Sequence, residues 1–195
     1  MRSLKISALL ILTFTATSLF AQTQNSKFSF EFNVGPSLAT QSLGDTDLNM
    51  GFGFEGTFTY RFMPHLGVYA GWGWNKFASD DPFEGVDADF EETGYVFGLQ
   101  FKHPFQTSDI NWLLRAGGLY NHLEIENPDG DIVWDTGHGL GYQVVAGIEV
   151  PVGKKWNLVP TVKFHSLSRE IDANGNTRDL DLRYLGVRVG LARNF

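Results

Sequence analysis

The sequence predicts an all-β fold, an antiparallel up-and-down barrel of eight strands that spans a membrane. Three features of the chain lead to this prediction. Apolar residues recur at every second position, the positions between them are rich in Gly, Asn and Thr, and short connections alternate with long ones. The 195-residue chain has 22 Gly, 17 Phe, 5 Trp and 6 Tyr, yet its mean hydropathy is slightly negative, so its many aromatic residues must be separated by position.

The alternation extends over eight segments of the chain. In the second of them, Phe52, Phe54 and Phe58 alternate with small, polar or charged residues. Strict alternation is typical of β-strands, and a helical stripe with a period of about 3.6 fits none of the segments. The predicted strands cover residues 28–35, 51–62, 68–75, 95–101, 112–120, 140–150, 156–165 and 184–195. Pro160 in the seventh strand cannot donate a ladder hydrogen bond, so we expect a β-bulge there.

The amino terminus has the features of a secretory signal peptide. Arg2 and Lys5 supply positive charge, residues 8–20 form a nearly uncharged apolar run, and the small residue Ala21 ends it. A membrane anchor is the alternative, but a spanning helix needs about 20 apolar residues. We therefore expect residues 1–21 to be removed and residues 22–195 to form one barrel domain. Because the chain has no Cys, this exported domain must be stable without disulfides.

The second face of the predicted strands distinguishes a membrane barrel from a soluble one. A soluble barrel would expose many Lys, Glu and Asp residues on that face, whereas here isolated charges are spread among Gly, Asn, Thr and Gln. Eight strands enclose an interior that side chains just fill, and buried charges must be paired. We therefore predict paired charges in the lumen; a solvated face with unrelated charges is the alternative. The predicted lumen network consists of Glu31, Glu55, Arg61, Arg115, Glu149, Lys163 and Arg188.

Aromatic residues are sorted toward the two ends of the predicted strands. Two aromatic girdles that flank an apolar band are typical of lipid-facing barrels. Ordinary strand propensity, the alternative explanation, would not sort aromatic residues by depth. The predicted membrane-interface aromatics are Trp72, Trp74, Tyr95, Tyr120 and Tyr142 at one end, and Trp112 and Trp156 at the other.

Four long connections carry most of the acidic residues. They cover residues 38–50, 76–92, 123–137 and 167–181 and contain 18 of the 22 acidic residues. Short periplasmic turns and long acidic outer loops fit an outer-membrane barrel. The charge either forms a hydrated cap or binds divalent cations or a basic partner. The hairpin turn signals Pro128–Asp131 and Asn174–Gly175 predict that the fifth to eighth strands continue beyond the membrane as two hairpins.

The terminal segment, residues 184–195, resembles the closing strand of bacterial outer-membrane barrels. The whole mature chain is similar to the small OmpA/OmpX-like barrels and to the porin-family barrel domains of Bacteroidota. This resemblance implies an integral location in the outer membrane, with that membrane's lipids and lipopolysaccharide as partners. It also implies that Phe195 is the assembly signal recognised by the barrel assembly machinery during insertion.

Candidates for catalysis are few. His165, Ser166 and Glu170 superficially resemble the His/Ser/Glu set of the lipid A deacylase barrels. Adjacent residues of a regular strand point to opposite faces, so His165 and Ser166 cannot share a proton. A motif match without geometry carries little weight, and we therefore expect no enzymatic activity and no cofactor.

Metal-binding and nucleic-acid-binding signals are also weak. Asp172, Asn174 and Asn176 have the alternate spacing of a calcium loop, but Gly175 is misplaced and no Glu follows at the required distance. We predict no metal site beyond this weak match, and no nucleic-acid partner because basic aromatic patches are absent. Four histidines are scattered singly and are expected to be solvated, namely His65, His103, His122 and His138.

The predicted function is that of an integral outer-membrane barrel with a structural or surface-interaction role and acidic extracellular loops. A fold does not fix a function by itself. Two alternatives are therefore kept, a lipid-modifying barrel enzyme and a narrow channel for small solutes.

Overall fold

The structure, a computed structural model, describes residues 26–106, 108–173 and 175–195. The predicted signal peptide, residues 1–21, lies outside the described residues. In the described part of the chain, no helix is long and apolar enough to cross a membrane. The same residues form nine strands: β1 (Phe28–Ala39), β2 (Gly51–Arg61), β3 (Leu66–Ala78), β4 (Asp89–Pro104), β5 (Asn111–Glu126), β6 (Ile132–Asp135), β7 (Gly139–Pro151), β8 (Trp156–Ala173) and β9 (Asn176–Asn194).

Eight of these strands close into an antiparallel ring. From β1 to β5, each strand pairs with the next one along the chain. β5 then pairs with β7, β7 with β8 and β8 with β9, and β9 pairs back with β1. The short strand β6 lies beside the ring and pairs with β5. The predicted eight-stranded up-and-down barrel is confirmed, and its closure removes the free edge that a membrane would not tolerate.

The two ends of the barrel differ in their connections. At one end, which we call the turn end, lie the first and last residues of the ring and three short connections, residues 62–65, 105–110 and 152–155. At the other, the loop end, longer segments join β1 to β2, β3 to β4 and β5 to β7. Two residues separate β8 from β9 at this end, and Gly175, the second of them, has a φ of 81°, a conformation that glycine adopts readily.

Burial in the ring is the inverse of that in a soluble protein. Phe30 and Val189 expose 45% and 53% of their surface, whereas their neighbours Glu31 and Arg188 expose 3% and 1%. The sheet therefore turns its apolar side chains outward and its polar side chains into the lumen. An outward apolar band on a closed barrel matches a lipid environment.

Several strands run further at the loop end than the sequence predicts. β4 begins at Asp89, β5 extends to Glu126, and β8 extends to Ala173. The predicted loops 76–92, 123–137 and 167–181 are therefore too long, and ten of the 18 acidic residues assigned to loops lie in strands. The predicted continuation of the strands as two hairpins, β5–β6 and β8–β9, is confirmed.

Pro160 interrupts the ladder between β7 and β8 without changing its register. On β7, pairing is regular up to Gly147 and resumes at Val150 in the same register. The predicted β-bulge is therefore wrong, because no extra residue is inserted. On the other side of β8, Pro160 pairs with Val189 of β9. The N–H that proline lacks is therefore missing from the ladder between β8 and β7.

Candidate functional site

Two buried ion pairs cross the lumen. Arg115 Nη2 lies 2.5 Å from Glu31 Oε2, and Lys163 Nζ lies 3.0 Å from Glu55 Oε2. Arg115 also donates a hydrogen bond of 2.7 Å from Nε to Gln100 Oε1. Removing such charges from water is costly, so their burial depends on this pairing. The structure thus brings four of the seven predicted lumen charges together in pairs.

The charges near the turn end are arranged differently from the prediction. Glu149 pairs with Lys102, whose Nζ is 3.1 Å from each carboxylate oxygen. The predicted fourth strand ends at residue 101, whereas Lys102 belongs to β4. Arg61 lies at the mouth and donates to the carbonyl of Ser26 at 2.9 Å. The expected carboxylate partner of Arg61 is not found among the described residues, because at the mouth a backbone carbonyl is the nearer acceptor.

Arg188 compensates for a proline in β1. Around Pro36, the β1–β9 ladder stops at Val34 and resumes at Ser37, which leaves backbone carbonyls without ladder partners. Arg188 Nη1 donates to the carbonyl oxygens of Gly35 at 2.7 Å and Pro36 at 2.5 Å. Buried carbonyls need donors, and a guanidinium offers several in a fixed geometry. The predicted pairing of Arg188 with a carboxylate is therefore wrong.

Glu92 is the centre of a second polar layer in the lumen. It is 1% exposed, and it accepts hydrogen bonds from Asn75 Nδ2 at 3.3 Å, from Tyr184 Oη at 3.1 Å and from Asn121 Nδ2. His165 Nε2 lies 3.1 Å from Glu92 Oε1. The sequence analysis assigns Glu92 to an outer loop, and the structure corrects this assignment.

A cluster of apolar side chains, the apolar plug, fills the barrel at the loop end. Loop residues such as Leu43 and Phe83 fold inward over the mouth, and Leu48 and Trp134 pack against the cluster. Burial of this much apolar surface makes the mouth a small hydrophobic core. The plug consists of Leu43, Phe77, Phe83, Ala88, Phe90, Leu123, Ile125, Leu167, Ile171, Leu180, Leu182 and Tyr184.

The predicted membrane-interface aromatics lie on the outward face of the ring. Trp72 pairs in register with Tyr95, and Tyr95 pairs with Tyr120, so these three rings form a row toward the loop end. Tyr142 is exposed on the same side, and Trp112 and Trp156 are exposed near the turn end. Trp74 is half-buried, and its Nε1 donates to Glu91 Oε2 at 2.8 Å.

Beyond that row, the outward positions of the strands and the loops carry carboxylates, which we call the acidic rim. Lys76 Nζ contacts Asp89 at 3.2 Å, Glu91 at 3.0 Å and Glu126 at 2.8 Å. Partial burial lowers the pKa of Lys76, but hydrogen bonds to these carboxylates outweigh burial and raise that pKa above its ordinary value. The rim comprises Asp45, Asp47, Asp80, Asp81, Glu84, Asp87, Asp89, Glu91, Glu124, Glu126, Asp129, Asp131, Asp135, Glu170, Asp172, Asp179 and Asp181.

Two open clefts flank the β8–β9 hairpin within the rim. The larger, of about 580 Å³, lies between the hairpin and the first two loops. Arg178 bridges it, with Nε 2.8 Å from Glu84 Oε1 and Nη1 3.9 Å from Asp45 Oδ2. The smaller, of about 490 Å³, is lined by Ser168, Arg169, Glu170, Asp179 and Asp181.

The structure brings four histidines together in two stacked pairs. The ring centroids of His122 and His138 are 4.2 Å apart with an interplanar angle of 17°. Those of His65 and His103, at the turn end, are 4.6 Å apart with an angle of 28°. The expectation of singly scattered histidines is wrong, because strand register, which the sequence spacing conceals, determines which residues become neighbours.

One of these pairs lies beside two rim carboxylates. His122 Nδ1 is 2.9 Å from Asp135 Oδ1, and Glu124 completes a group whose potential ligand atoms all lie within 4.8 Å of one another. Partial burial raises the pKa of Asp135, but hydrogen bonds from His122 and from the Gly137 amide lower that pKa overall. The carboxylate of Asp135 is thereby kept ionised and oriented.

The other sequence candidates are not assembled into a site. His165 stacks on the ring of Tyr184 inside the barrel at 4.5 Å, whereas the neighbouring Ser166 occupies an outward position of β8. In the calcium-like segment, Asp172 Oδ1 accepts a hydrogen bond from Thr177 Oγ1 at 2.9 Å, and Asn174 lies outside the described residues. The sequence prediction for this segment, no metal site beyond a weak calcium match, stays a prediction.

A family model for the outer membrane protein beta-barrel domain matches residues 6–195 of the chain. The chain belongs to this family. Among solved structures, Neisserial surface protein A is 14% identical, with 87% of this chain and 98% of that one covered and a TM-score of 0.64. OprG of Pseudomonas aeruginosa is 13% identical, with 86% of this chain and 96% of that one covered and a TM-score of 0.53. E. coli outer membrane protein W is 15% identical, with 88% of this chain and 100% of that one covered and a TM-score of 0.50. At such low sequence identities, the likeness to these structures shows the fold alone. No curated protein matches the chain.

Family membership places the protein in the outer membrane as an integral barrel. In such barrels the short connections face the periplasm and the long ones face the outside. The turn end is therefore periplasmic, and the acidic rim, both clefts and the His122–His138 pair are extracellular. Phe195 closes the periplasmic end, where its amide donates to the carbonyl of Phe28 at 2.9 Å.

A signal for the missed residue Glu92 was present in the sequence. Glu92 has the same parity as Gly94, Val96 and Gly98, which all lie on the lumen side of β4. Extending the alternation of the predicted fourth strand backward by three residues, from Tyr95 to Glu92, would have placed Glu92 inside the barrel. The stacked histidines had no such signal, because their proximity depends on the register of β5 with β7 and of β3 with β4.

Proposed function

We propose that the protein acts at the extracellular surface, as a non-enzymatic outer-membrane barrel whose acidic rim binds a basic peptide or protein. One observation carries this proposal: the rim stands on strands that continue beyond the membrane, above a lumen that side chains fill. A rigid, strongly charged platform over a closed barrel is suited to recognition at the surface rather than to transport.

The filled lumen argues against the channel alternative. Along the barrel axis, a solute entering from outside would meet the apolar plug, then the polar layer around Glu92, and then the Glu55–Lys163 and Glu31–Arg115 pairs. Breaking a buried pair leaves an uncompensated charge, which costs several kcal/mol. Passage would therefore require the rearrangement of several independent layers.

The arrangement around His165 argues against the lipid-modifying enzyme. His165 is buried next to Tyr184 and Glu92, while Ser166 occupies an outward position of β8. A nucleophile and its base must lie within hydrogen-bond reach of each other. The proposed role is therefore one of binding rather than of catalysis.

The charge of the rim indicates the chemistry of the partner. Against its 17 carboxylates, the loop end offers Lys76, Arg169, Arg178 and Arg183. Of these, Lys76, Arg178 and Arg183 already pair with rim carboxylates. Such an imbalance attracts a cationic partner and accelerates its association. Ile132 and Val133 are exposed beside the acids on β6 and offer an apolar contact of the kind found in interfaces. Trp134, the next residue on β6, packs instead against the plug.

Binding of a fluorescent oligolysine peptide to the barrel in uncharged lipid nanodiscs tests the proposal. The variant D45N/D80N/D81N removes three exposed rim charges, and D109N removes one at the periplasmic end as a matched control. We expect salt-sensitive binding that is several-fold weaker in the rim variant and unchanged in D109N. Equal affinity for all three proteins would refute a role for the rim, as would the absence of binding to the wild type.

A further inference from the structure

The β5–β6 hairpin carries a group of metal-binding side chains that the proposed function does not use. His122, Glu124 and Asp135 each offer a ligand atom, and these atoms all lie within 4.8 Å of one another. An ion equidistant from three atoms at that largest spacing would be about 2.8 Å from each, whereas zinc–ligand distances are about 2.0–2.2 Å. Side-chain shifts of less than about 1 Å would therefore complete the coordination.

The strand register places carboxylates of this group directly opposite other carboxylates. Glu124 of β5 lies directly opposite Asp135 of β6 on one side and opposite Glu91 of β4 on the other. Like charges directly opposite each other destabilise a strand pair. The nearby cation Lys76 contacts Glu91, and in the described part of the chain its ion pairs do not include Glu124. A divalent cation between Glu124 and Asp135 would remove this repulsion.

The backbone around the group is already ordered by other contacts. The Gly137 amide donates to Asp135 Oδ1 at 2.7 Å, and the Leu123 amide donates to Thr136 Oγ1 at 2.9 Å. Trp134, next to Asp135, packs edge-on against Phe83 of the plug at 5.7 Å. Supporting contacts of this kind fix the orientation of metal ligands. The carboxylate is therefore held in place without relying on a bound ion.

We propose that His122, Glu124 and Asp135 form an extracellular binding site for a divalent first-row transition metal, with Zn²⁺ as its representative. The imidazole of His138, stacked on that of His122, is the candidate fourth ligand. A mixed set of imidazole and carboxylate favours zinc, copper or nickel over calcium and magnesium, which prefer oxygen ligands alone. The site goes beyond the proposed function and does not depend on it.

Calorimetric titration of Zn²⁺ into the folded mature barrel in detergent tests the site. The wild type is expected to bind one ion per chain. H122A and D135N should each weaken binding about tenfold or more, since even changes in groups that only support the ligands have effects of that size. H103A is the matched control, because it disrupts the other stacked histidine pair, which lies at the periplasmic end. Heat-modifiable migration on gels verifies that each variant is folded.

The outcomes separate this site from general cation binding by the rim. Zinc binding that persists unchanged in folded H122A and D135N would overturn the proposal, and so would an equal loss in H103A. Calcium that binds with the affinity of zinc would overturn the assignment to a transition metal. A wild type that binds no zinc would exclude the site but would leave the binding of a basic partner untouched.

Discussion

At the scale of single residues, the ion pair between Lys163 and Glu55 joins two strands that are not neighbours in the ring. Lys163 lies on β8 and Glu55 on β2, and two other strands, β9 and β1, separate these strands in the ring. Their 3.0 Å contact therefore crosses the lumen rather than following the wall. The pair connects distant parts of the barrel, and each charge depends on the other because both are buried.

The variant E55Q should destabilise the barrel by about 3–5 kcal/mol, because it leaves the Lys163 ammonium buried without its partner. The double variant E55Q/K163M should recover most of this loss, since it removes both charges. The free energy of unfolding is measured by urea titration in lipid vesicles, with K154M, at an exposed periplasmic turn, as the control. An E55Q protein as stable as the wild type would contradict the inferred dependence.

Residue parity predicts which charges enter the lumen, but it does not predict their partners. Glu31, Glu55 and Lys163 were placed inside from alternation alone, because inward and outward positions differ in character over each strand. The partners of Arg188 were not predictable, since two of its acceptors are carbonyls that become free only where Pro36 interrupts the β1–β9 ladder. Pairing depends on register and barrel diameter, which no single segment specifies.

At the scale of strands, the alternation changes phase at the membrane boundary. In β9, Leu185 and Val187 point outward toward lipid, whereas Leu180 and Leu182, nearer the extracellular end, point inward to the plug. The side facing outward meets lipid in one part and water in the other, so the apolar residues change sides. A search for one uninterrupted apolar face therefore ends too early, which is why the predicted strands were too short at the loop end.

The variant L182A should loosen the extracellular end of the barrel, because it creates a cavity in the buried plug; such changes cost about 2–5 kcal/mol. L185A is the matched control, since Leu185 is three positions along the same strand but faces lipid. Lipid therefore fills the space that the truncated side chain leaves. Limited proteolysis of vesicle-embedded protein should cleave the extracellular hairpins faster in L182A, while the membrane-embedded part stays intact. Equal cleavage rates in the two variants would mean that the plug does not hold the hairpins.

At the scale of the whole molecule, two kinds of protein interior are stacked along one axis. The membrane-embedded part has a polar interior and an apolar surface, and the extracellular part has an apolar interior and a charged surface. Each part fits its own solvent, and continuous strands join the two. The lumen is therefore closed twice, by paired charges within the membrane and by the plug above it.

This double closure predicts that purified protein gives no large steady conductance in planar bilayers. Barrels of eight strands are narrow enough for side chains to fill, whereas porins with an aqueous channel need about 16–18 strands. Weakening the plug alone, as in L123A/L180A/L182A, should still give no current across the bilayer, because the Glu31–Arg115 and Glu55–Lys163 pairs still occupy the lumen. Adding E55Q and K163M to that variant should produce brief openings of low conductance. A porin-sized current from the plug variant alone would mean that the paired charges do not close the lumen, and it would favour the channel function.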